Sequence, residues 1–293
     1  MGMTRGPAPG TVVAGRFTLT ICLGTGGMGT IWEALDASGE SFALKFLRPK
    51  ASIDARSQKR FLREARIVRT LTHPAVARTF DLIEFEGAPV IVMELCIGQS
   101  LRCYLARSAP LAAVQVAGFL LPLTDALQYC HDQGIVHRDI KPENIFVTAP
   151  GTPDLGVKLL DFGYAKLRAN EAGAAGSVVT EVGTKIGTPW YMAPEQIIAP
   201  ELVDERTDIW SLGVVAYEAL TGCLPFEGSS PDDVMRRILH DAFVPLELLA
   251  PEAPADLVRI IERALARSPE LRPAGMRELS TVFQAYTQPS ARK

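Results

Sequence analysis

Between Arg16 and Leu95 the chain breaks into short, apolar-rich segments, RFTLTICLG, TIWEAL, SFALKFL, ARTFDLIEFEG and APVIVMEL, with polar positions among them and glycine and proline as punctuation. Short runs of this kind, bounded by turn residues, predict β-strands. One stretch departs from it: in DARSQKRFLREARIVRTL the apolar residues Phe61, Ala65, Val68 and Leu71 fall near helical spacing with charges opposite, which predicts a helix. After CIGQSL the period changes, placing a boundary near Cys96 to Gly98, and the rest reads as mostly helical. Val116, Phe119, Leu120, Leu123, Leu127 and Cys130 form one apolar stripe, with Pro122 inside the same helix, where it should remove a hydrogen bond and kink the element. SSPDDVMRRIL opens with a serine cap, Pro231 in the first turn and two acids that suit the helix dipole. LRANEAGAAGSVVTEVGTKIG has no periodicity and is too long for a routine connection, so it reads as a functional loop or disorder. Residues 1–15 and 287–293 read as loose ends.

With 293 residues the chain exceeds one ordinary core, so two units are expected, 16–96 and 97–286. A composition of 47% hydrophobic and 22% charged residues is that of a globular protein, and a net charge of −3 gives no general attraction to nucleic acid or anionic membrane. Five cysteines without a C-x-x-C pair, most of them in apolar runs, fit a reducing compartment. Glu94 and Glu218 interrupt the two longest apolar stretches before either reaches the roughly 18 residues that span a bilayer, and MGMTRGPAPG lacks the apolar core of a signal peptide. The expectation is a cytoplasmic chain with no membrane segment, which leaves anchorage to a longer parent.

Gly24, Gly26 and Gly29 make G-x-G-x-x-G, a weak signal alone. A dinucleotide-binding turn would be followed by a helix, whereas Thr30, Ile31 and Trp32 continue as a strand, which favours a hairpin flap over phosphates. Lys45 lies in a strand with apolar neighbours on both sides, and a cation there needs an anion. Glu64 on the next helix is a candidate, although by itself it reads as decoration of a solvated face. IVHRDIKPENIFVT crowds His137, Arg138, Asp139, Lys141, Glu143 and Asn144 between segments that look buried. Asp139, Asn144 and the later Asp161 suit magnesium, which takes few carboxylates and leaves room for phosphate; each alone could be a turn cap.

Taken jointly these segments resemble the eukaryotic-like serine/threonine protein kinases, particularly the bacterial ones, over about Arg16 to Tyr286. The elements stand in family order: the glycine loop, A-L-K ending at Lys45, Glu64, H-R-D-I-K-P-E-N from His137, D-F-G from Asp161, G-T-P-W-Y-M-A-P-E from Gly187, D-I-W-S-L-G from Asp208, and Arg272 before Pro273. The resemblance implies an α+β, two-lobed fold: a small antiparallel sheet with one key helix, then a larger, mainly α-helical lobe with an activation segment at 161–195. It implies transfer of the γ-phosphate of ATP to Ser/Thr hydroxyls of protein substrates, with Mg2+ or Mn2+.

By the same resemblance Lys45 holds the α and β phosphates and is fixed by Glu64. The backbone from Leu23, Gly24, Thr25, Gly26, Gly27 and Met28 to Gly29 covers the nucleotide. Asn144 and Asp161 bind metal, Asp139 takes the proton of the attacking hydroxyl, and Lys141 balances the γ-phosphate. Adenine lies between Ile31, Ala43 and Phe146, with Met93 behind it and the backbone of Glu94 and Cys96 as hydrogen-bond partners. Ser100 stands where a ribose-binding acid is common. His137 is structural, beneath Phe162; Asp208 anchors the catalytic loop, and Glu195 pairs with Arg272. Glu143 stands where some relatives favour a basic residue N-terminal to the phosphorylated hydroxyl.

The cation of Arg138 before Asp139 suggests regulation. Phosphate on Thr180 or Thr184, with Ser177 and Thr188 as further hydroxyls of the segment, would pair with Arg138 and Lys166 after autophosphorylation, through a transient dimer. Two alternatives compete with the kinase reading. A pseudokinase scaffold would lack part of the ionisable set, which is complete here. A small-molecule phosphotransferase would lack the peptide-binding segment from Gly187, which is present.

Overall fold

The structure, a computed structural model, describes residues 7–26, 29–47, 69–149, 156–160 and 189–287. Six strands form one antiparallel sheet: β1 Val12–Val13, β2 Phe17–Gly26, β3 Gly29–Leu35, β4 Ser41–Leu47, β5 Thr79–Phe85 and β6 Ala88–Glu94, in the order β1-β2-β3-β4-β6-β5. A second, three-stranded sheet follows, β7 Gln99–Ser100, β8 Ile145–Thr148 and β9 Gly156–Leu159. The helices are α1 Leu101–Ser108, α2 Ala113–Asp132, α3 Pro194–Ile198, α4 Arg206–Thr221, α5 Pro231–His240, α6 Leu246–Leu249, α7 Ala255–Ala264 and α8 Met276–Thr287. The helix expected around Phe61 lies outside the described residues.

The register of the large sheet gives it two working faces. Directly paired residues share a face, and residues two apart along a strand return to it. Ile31, Lys45 and Ile91 are paired across β3, β4 and β6, and so are Glu33, Ala43 and Met93, so both rows lie on one side. The alternate row of Trp32, Leu44 and Val92 lies on the other and joins Phe17, Leu19, Phe42, Phe46 and Val90 in a compact cluster. Ala43, Ile91 and Met93 belong instead to the larger core, which continues through Ile140, Val147 and Leu159 into α2 and α4. Lys45 therefore sits on the face turned toward the helical half.

The expected stripe of α2 is buried, with Val116, Leu120, Leu127 and Cys130 all at 0% exposure, and the helix continues through Pro122 as one element. Gly134 in the left-handed region (φ 72°) follows its end, where its N–H reaches His131 O at 2.8 Å and turns the chain into the His137 loop. Helix α4 is buried from Thr207 to Leu220, as expected of a helix at the centre of a helical core. Ser230 caps α5 by accepting the Asp233 N–H, with Pro231 in the first turn as the sequence predicts. Among the described residues no helix is long and apolar enough to cross a membrane.

Candidate active site

The His137 loop joins α2 to β8, and buried polar groups on α4 hold it. Asp208, in the first turn of α4 and fully buried, accepts the backbone N–H of His137 at Oδ2 (2.8 Å) and of Arg138 at Oδ1 (2.8 Å). His131, near the end of α2, donates Nε2–H to the same carboxylate at 2.8 Å. Burial opposes ionisation of Asp208, but these hydrogen bonds outweigh it and hold the carboxyl below its ordinary value. On the other side Gln196 of α3 donates Nε2–H to Arg138 O at 2.9 Å. Arg138 itself has φ 65°, a left-handed conformation that costs a non-glycine residue about 1–3 kcal/mol. It persists because its N–H and its carbonyl are both fixed by surrounding helices.

His137 is fully buried, and its ring serves the backbone. Leu160 O can only accept, so Nε2 carries the proton (2.9 Å) and Nδ1 accepts the Asp139 N–H at 3.3 Å. The imidazole is therefore neutral and bridges the loop to the residue that precedes Asp161.

Asp139 lies at the centre of this frame. Lys141 Nζ reaches its Oδ2 at 2.8 Å, and Asn144 Nδ2 reaches the same oxygen at 2.9 Å and the Asp139 carbonyl at 2.8 Å. Asn144 closes a short 3-10 turn, Pro142–Asn144, whose geometry brings it back over Asp139. Two donor bonds from one amide nitrogen turn its carbonyl oxygen the other way, the orientation a hard cation requires. Among the described residues no group of three His, Cys, Asp or Glu side chains forms a metal cluster.

The glycine stretch is the expected hairpin: Gly24 pairs with Ile31, Thr25 with Thr30 and Gly26 with Gly29, and β3 runs on directly. Lys45 is 5% exposed on the face it shares with Ile31, Ala43 and Met93. At the end of β6 the Glu94 carboxylate is held by Lys158 of β9, at 2.7 and 3.0 Å, and by the Arg78 N–H at 3.1 Å. Burial, with the Glu94 carboxylate adding to it, pushes the Cys96 thiol up to about 11, so it stays protonated at neutral pH. Gly98 (φ 149°) is required, because a Cβ there would lie 2.2 Å from Val147 O and 3.2 Å from Phe146 Cε1. Phe146 is partly buried and pairs with Ser100 across β7 and β8. Ser100, expected to face ribose, caps α1: its hydroxyl accepts the Cys103 N–H at 3.2 Å.

The structure thus brings Asp139, Lys141 and Asn144 into contact and places Lys45, Ile31, Ala43 and Met93 on one surface. Gly27, Met28, Glu64, Asp161, Lys166, Ser177, Thr180, Thr184 and Thr188 lie outside the described residues. The Glu195–Arg272 pair forms as expected, with Nη1–Oε1 at 2.7 Å and Nη2–Oε2 at 2.8 Å. Three features went unread in the sequence: His131 on Asp208, Lys158 on Glu94, and a cluster of Arg102, Glu143, Tyr191 and Glu218. The isolated Glu94 and Glu218 inside apolar runs were the available signals for the last two, since a buried charge needs a partner.

Comparison with known proteins agrees with this geometry. The protein kinase domain family matches residues 17–283. The serine/threonine-protein kinase pkn2 of Myxococcus xanthus is 35% identical over 277 residues, covering 94% of this chain and 33% of that protein. The serine/threonine-protein kinase PknA of Mycobacterium tuberculosis is 37% identical over 272 residues, covering 91% of this chain and 60% of its own length. The chain therefore spans between about a third and three fifths of these curated relatives. The crystal structure of the PknI kinase domain of Mycobacterium tuberculosis superimposes with a TM-score of 0.72 at 26% identity, covering 96% of this chain and 100% of that one. On the family match and the shared fold together, this chain belongs to the protein kinase domain family.

Proposed function

We propose that this chain transfers the γ-phosphate of ATP to serine and threonine hydroxyls of protein substrates. The observation that carries this reading is the Asp139 carboxylate, fixed through Oδ2 by Lys141 and Asn144 on a loop whose backbone is bonded to buried Asp208. The Asp139 carboxylate is proposed to orient the substrate hydroxyl and take its proton as the new O–P bond forms and the bond to the ADP oxygen breaks. Phosphoryl transfer demands alignment and charge neutralisation more than covalent participation, and a rigid, cation-flanked carboxylate fits that demand.

Lys45 is proposed to hold the α and β phosphates, with Glu64 as its anion. Backbone N–H groups from Leu23 to Gly29 cover them, since glycine lets the chain approach closely. Ile31, Ala43, Met93 and Phe146 would enclose adenine against the backbone of Glu94 and Cys96. The Ser100 hydroxyl, which accepts the Cys103 N–H, keeps its own proton and is proposed to offer it to ribose. Asn144 and Asp161 are proposed to hold Mg2+ or Mn2+. The metal, when bound, neutralises phosphate charge.

Autophosphorylation between Asp161 and Glu195, at Thr180 or Thr184, belongs to the same proposal. The phosphate would pair with Arg138 and Lys166, and exchange would pass through a transient dimer. All five cysteines are free thiols, which supports action in a reducing, cytoplasmic setting. The test is a radiolabelled-ATP assay on a generic protein substrate with wild type beside Lys45→Met. Label transfer by wild type that the variant loses supports the reading; equal transfer by both would end it. Mass spectrometry of protein incubated with ATP and magnesium tests the regulatory part: full activity with no phosphate between Asp161 and Glu195 would overturn it.

A further inference from the structure

Beside the loop that carries Asp139, two carboxylates converge on one arginine. Arg102 of α1 donates Nε–H to Glu143 Oε1 at 2.9 Å and Nη1–H to Glu218 Oε1 at 2.5 Å. Its Nη2 bonds the hydroxyl of Tyr191, which in turn donates to Glu218 Oε2 at 2.5 Å. These groups come from four separate places: α1, the turn just after Asp139, the segment leading into α3, and the interior end of α4. Glu143 is 47% exposed and Glu218 9%, with Arg102 between them at 32%. The cluster thus opens to solvent at Glu143, four residues along the chain from Asp139.

Two acids at the edge of such a site would draw a basic side chain of any peptide presenting its hydroxyl to Asp139. A guanidinium is the ideal occupant, because its planar fork satisfies two carboxylates at once. Here the chain supplies that guanidinium itself. Burial disfavours the charged form of Arg102, yet hydrogen bonds to Glu143 and Glu218 outweigh it and raise its pKa, so the cation is permanent. An incoming arginine would meet a like charge already seated, with two acids shared between two cations.

We propose that Arg102 is a specificity-determining residue: it occupies the acidic pocket of Glu143 and Glu218 from within, and so removes any strong preference for a basic residue flanking the phosphorylated hydroxyl. The proposal rests on the kinase reading and names the substrate class, peptides with no basic requirement at the position that meets this pocket. It reverses the sequence expectation for Glu143, which treated that acid as open to substrate. Specificity here comes from a built-in repulsion.

The test uses the purified chain with ATP and magnesium on peptide sets in which each position around a central serine or threonine is fixed in turn as Arg, Ala or Glu. Wild type should show kcat/KM for Arg over Ala within about threefold at every position, under about 0.7 kcal/mol. Arg102→Gln should raise that ratio at least about tenfold at one position, equal to about 1.4 kcal/mol. The added change Glu143→Gln should bring it back. Glu143→Gln in a chain that keeps Arg102 should leave the ratio unchanged; this arm leaves buried Glu218 paired and serves if Arg102→Gln does not fold. Strong arginine preference in wild type that Glu143→Gln removes would overturn the proposal, as would active Arg102→Gln with an unchanged ratio. A wild-type chain that phosphorylates no peptide and no protein overturns the kinase reading itself, and this proposal with it.

Discussion

Replacing Arg272 with methionine should destabilise the protein more than any surface change, and the structure sets the scale. The guanidinium is fully buried and spans Glu195 with two bonds, at 2.7 and 2.8 Å. It also donates to Ala266 O and Arg206 O at 2.8 Å each, and to Arg267 O at 3.1 Å. Arg272→Met keeps much of the volume but leaves Glu195 buried, with the Thr207 hydroxyl at 2.8 Å still donating to it. Stranding one member of a buried pair costs about 3–5 kcal/mol. For a chain of this order that lowers the melting temperature by about 6–20 °C. The assay is equilibrium urea unfolding of wild type, Arg272→Met, Glu195→Leu and the double variant. Because the double variant removes both charges, its loss should fall at least about 1 kcal/mol short of the sum of the single losses. Strict additivity, or an Arg272→Met loss under about 1 kcal/mol, would refute the pairing as the source of this stability.

Four further outcomes follow from the same frame. Asp208→Asn replaces one acceptor oxygen with a donor where three N–H groups converge, so kcat should fall at least about tenfold with a smaller change in the KM for ATP; unchanged kcat would contradict its role. Glu195 and Asp208 both titrate below their ordinary values of 4.5 and 3.8, so their stabilisation is complete above those values and is lost as pH falls through the depressed folded-state ones; the urea midpoint should drop on acidification through that range and stay level above about pH 5. Gly98→Ala meets both a positive φ and a 2.2 Å approach to Val147 O, and should cost about 1–3 kcal/mol or more in thermal unfolding. Burial raises the Cys96 and Cys130 thiols to about 11 and about 12, so at about pH 8 both should resist alkylation under native conditions while exposed Cys22, Cys103 and Cys223 react, as peptide mapping would show.

Local chemistry made much of the fold legible. The stripe of α2, the serine cap of α5 and the Gly24–Gly29 hairpin each depend on residues a few positions apart, and each forms as the pattern requires. The Asp208 and Glu195 contacts were reached through family resemblance, and the geometry bears them out. What the sequence hid are contacts that span the chain. Arg102 lies 41 positions from Glu143, 89 from Tyr191 and 116 from Glu218, so no window of local pattern contains them. Glu94 and Glu218 were visible only as breaks in apolar runs, and their meaning came with Lys158 and Arg102. Ser100, whose place in the family pattern implies ribose, also caps the first turn of α1, a local role that the pattern does not announce.

The central claim is that Asp139, held by Lys141 and Asn144, serves the hydroxyl that receives phosphate. Its most direct test is the single-turnover rate of phosphate transfer from labelled ATP to a serine peptide, for wild type and Asp139→Asn, with nucleotide affinity measured in parallel. The rate should fall about 10²–10⁴-fold with nucleotide affinity nearly unchanged. A variant that transfers phosphate at the wild-type rate would contradict it.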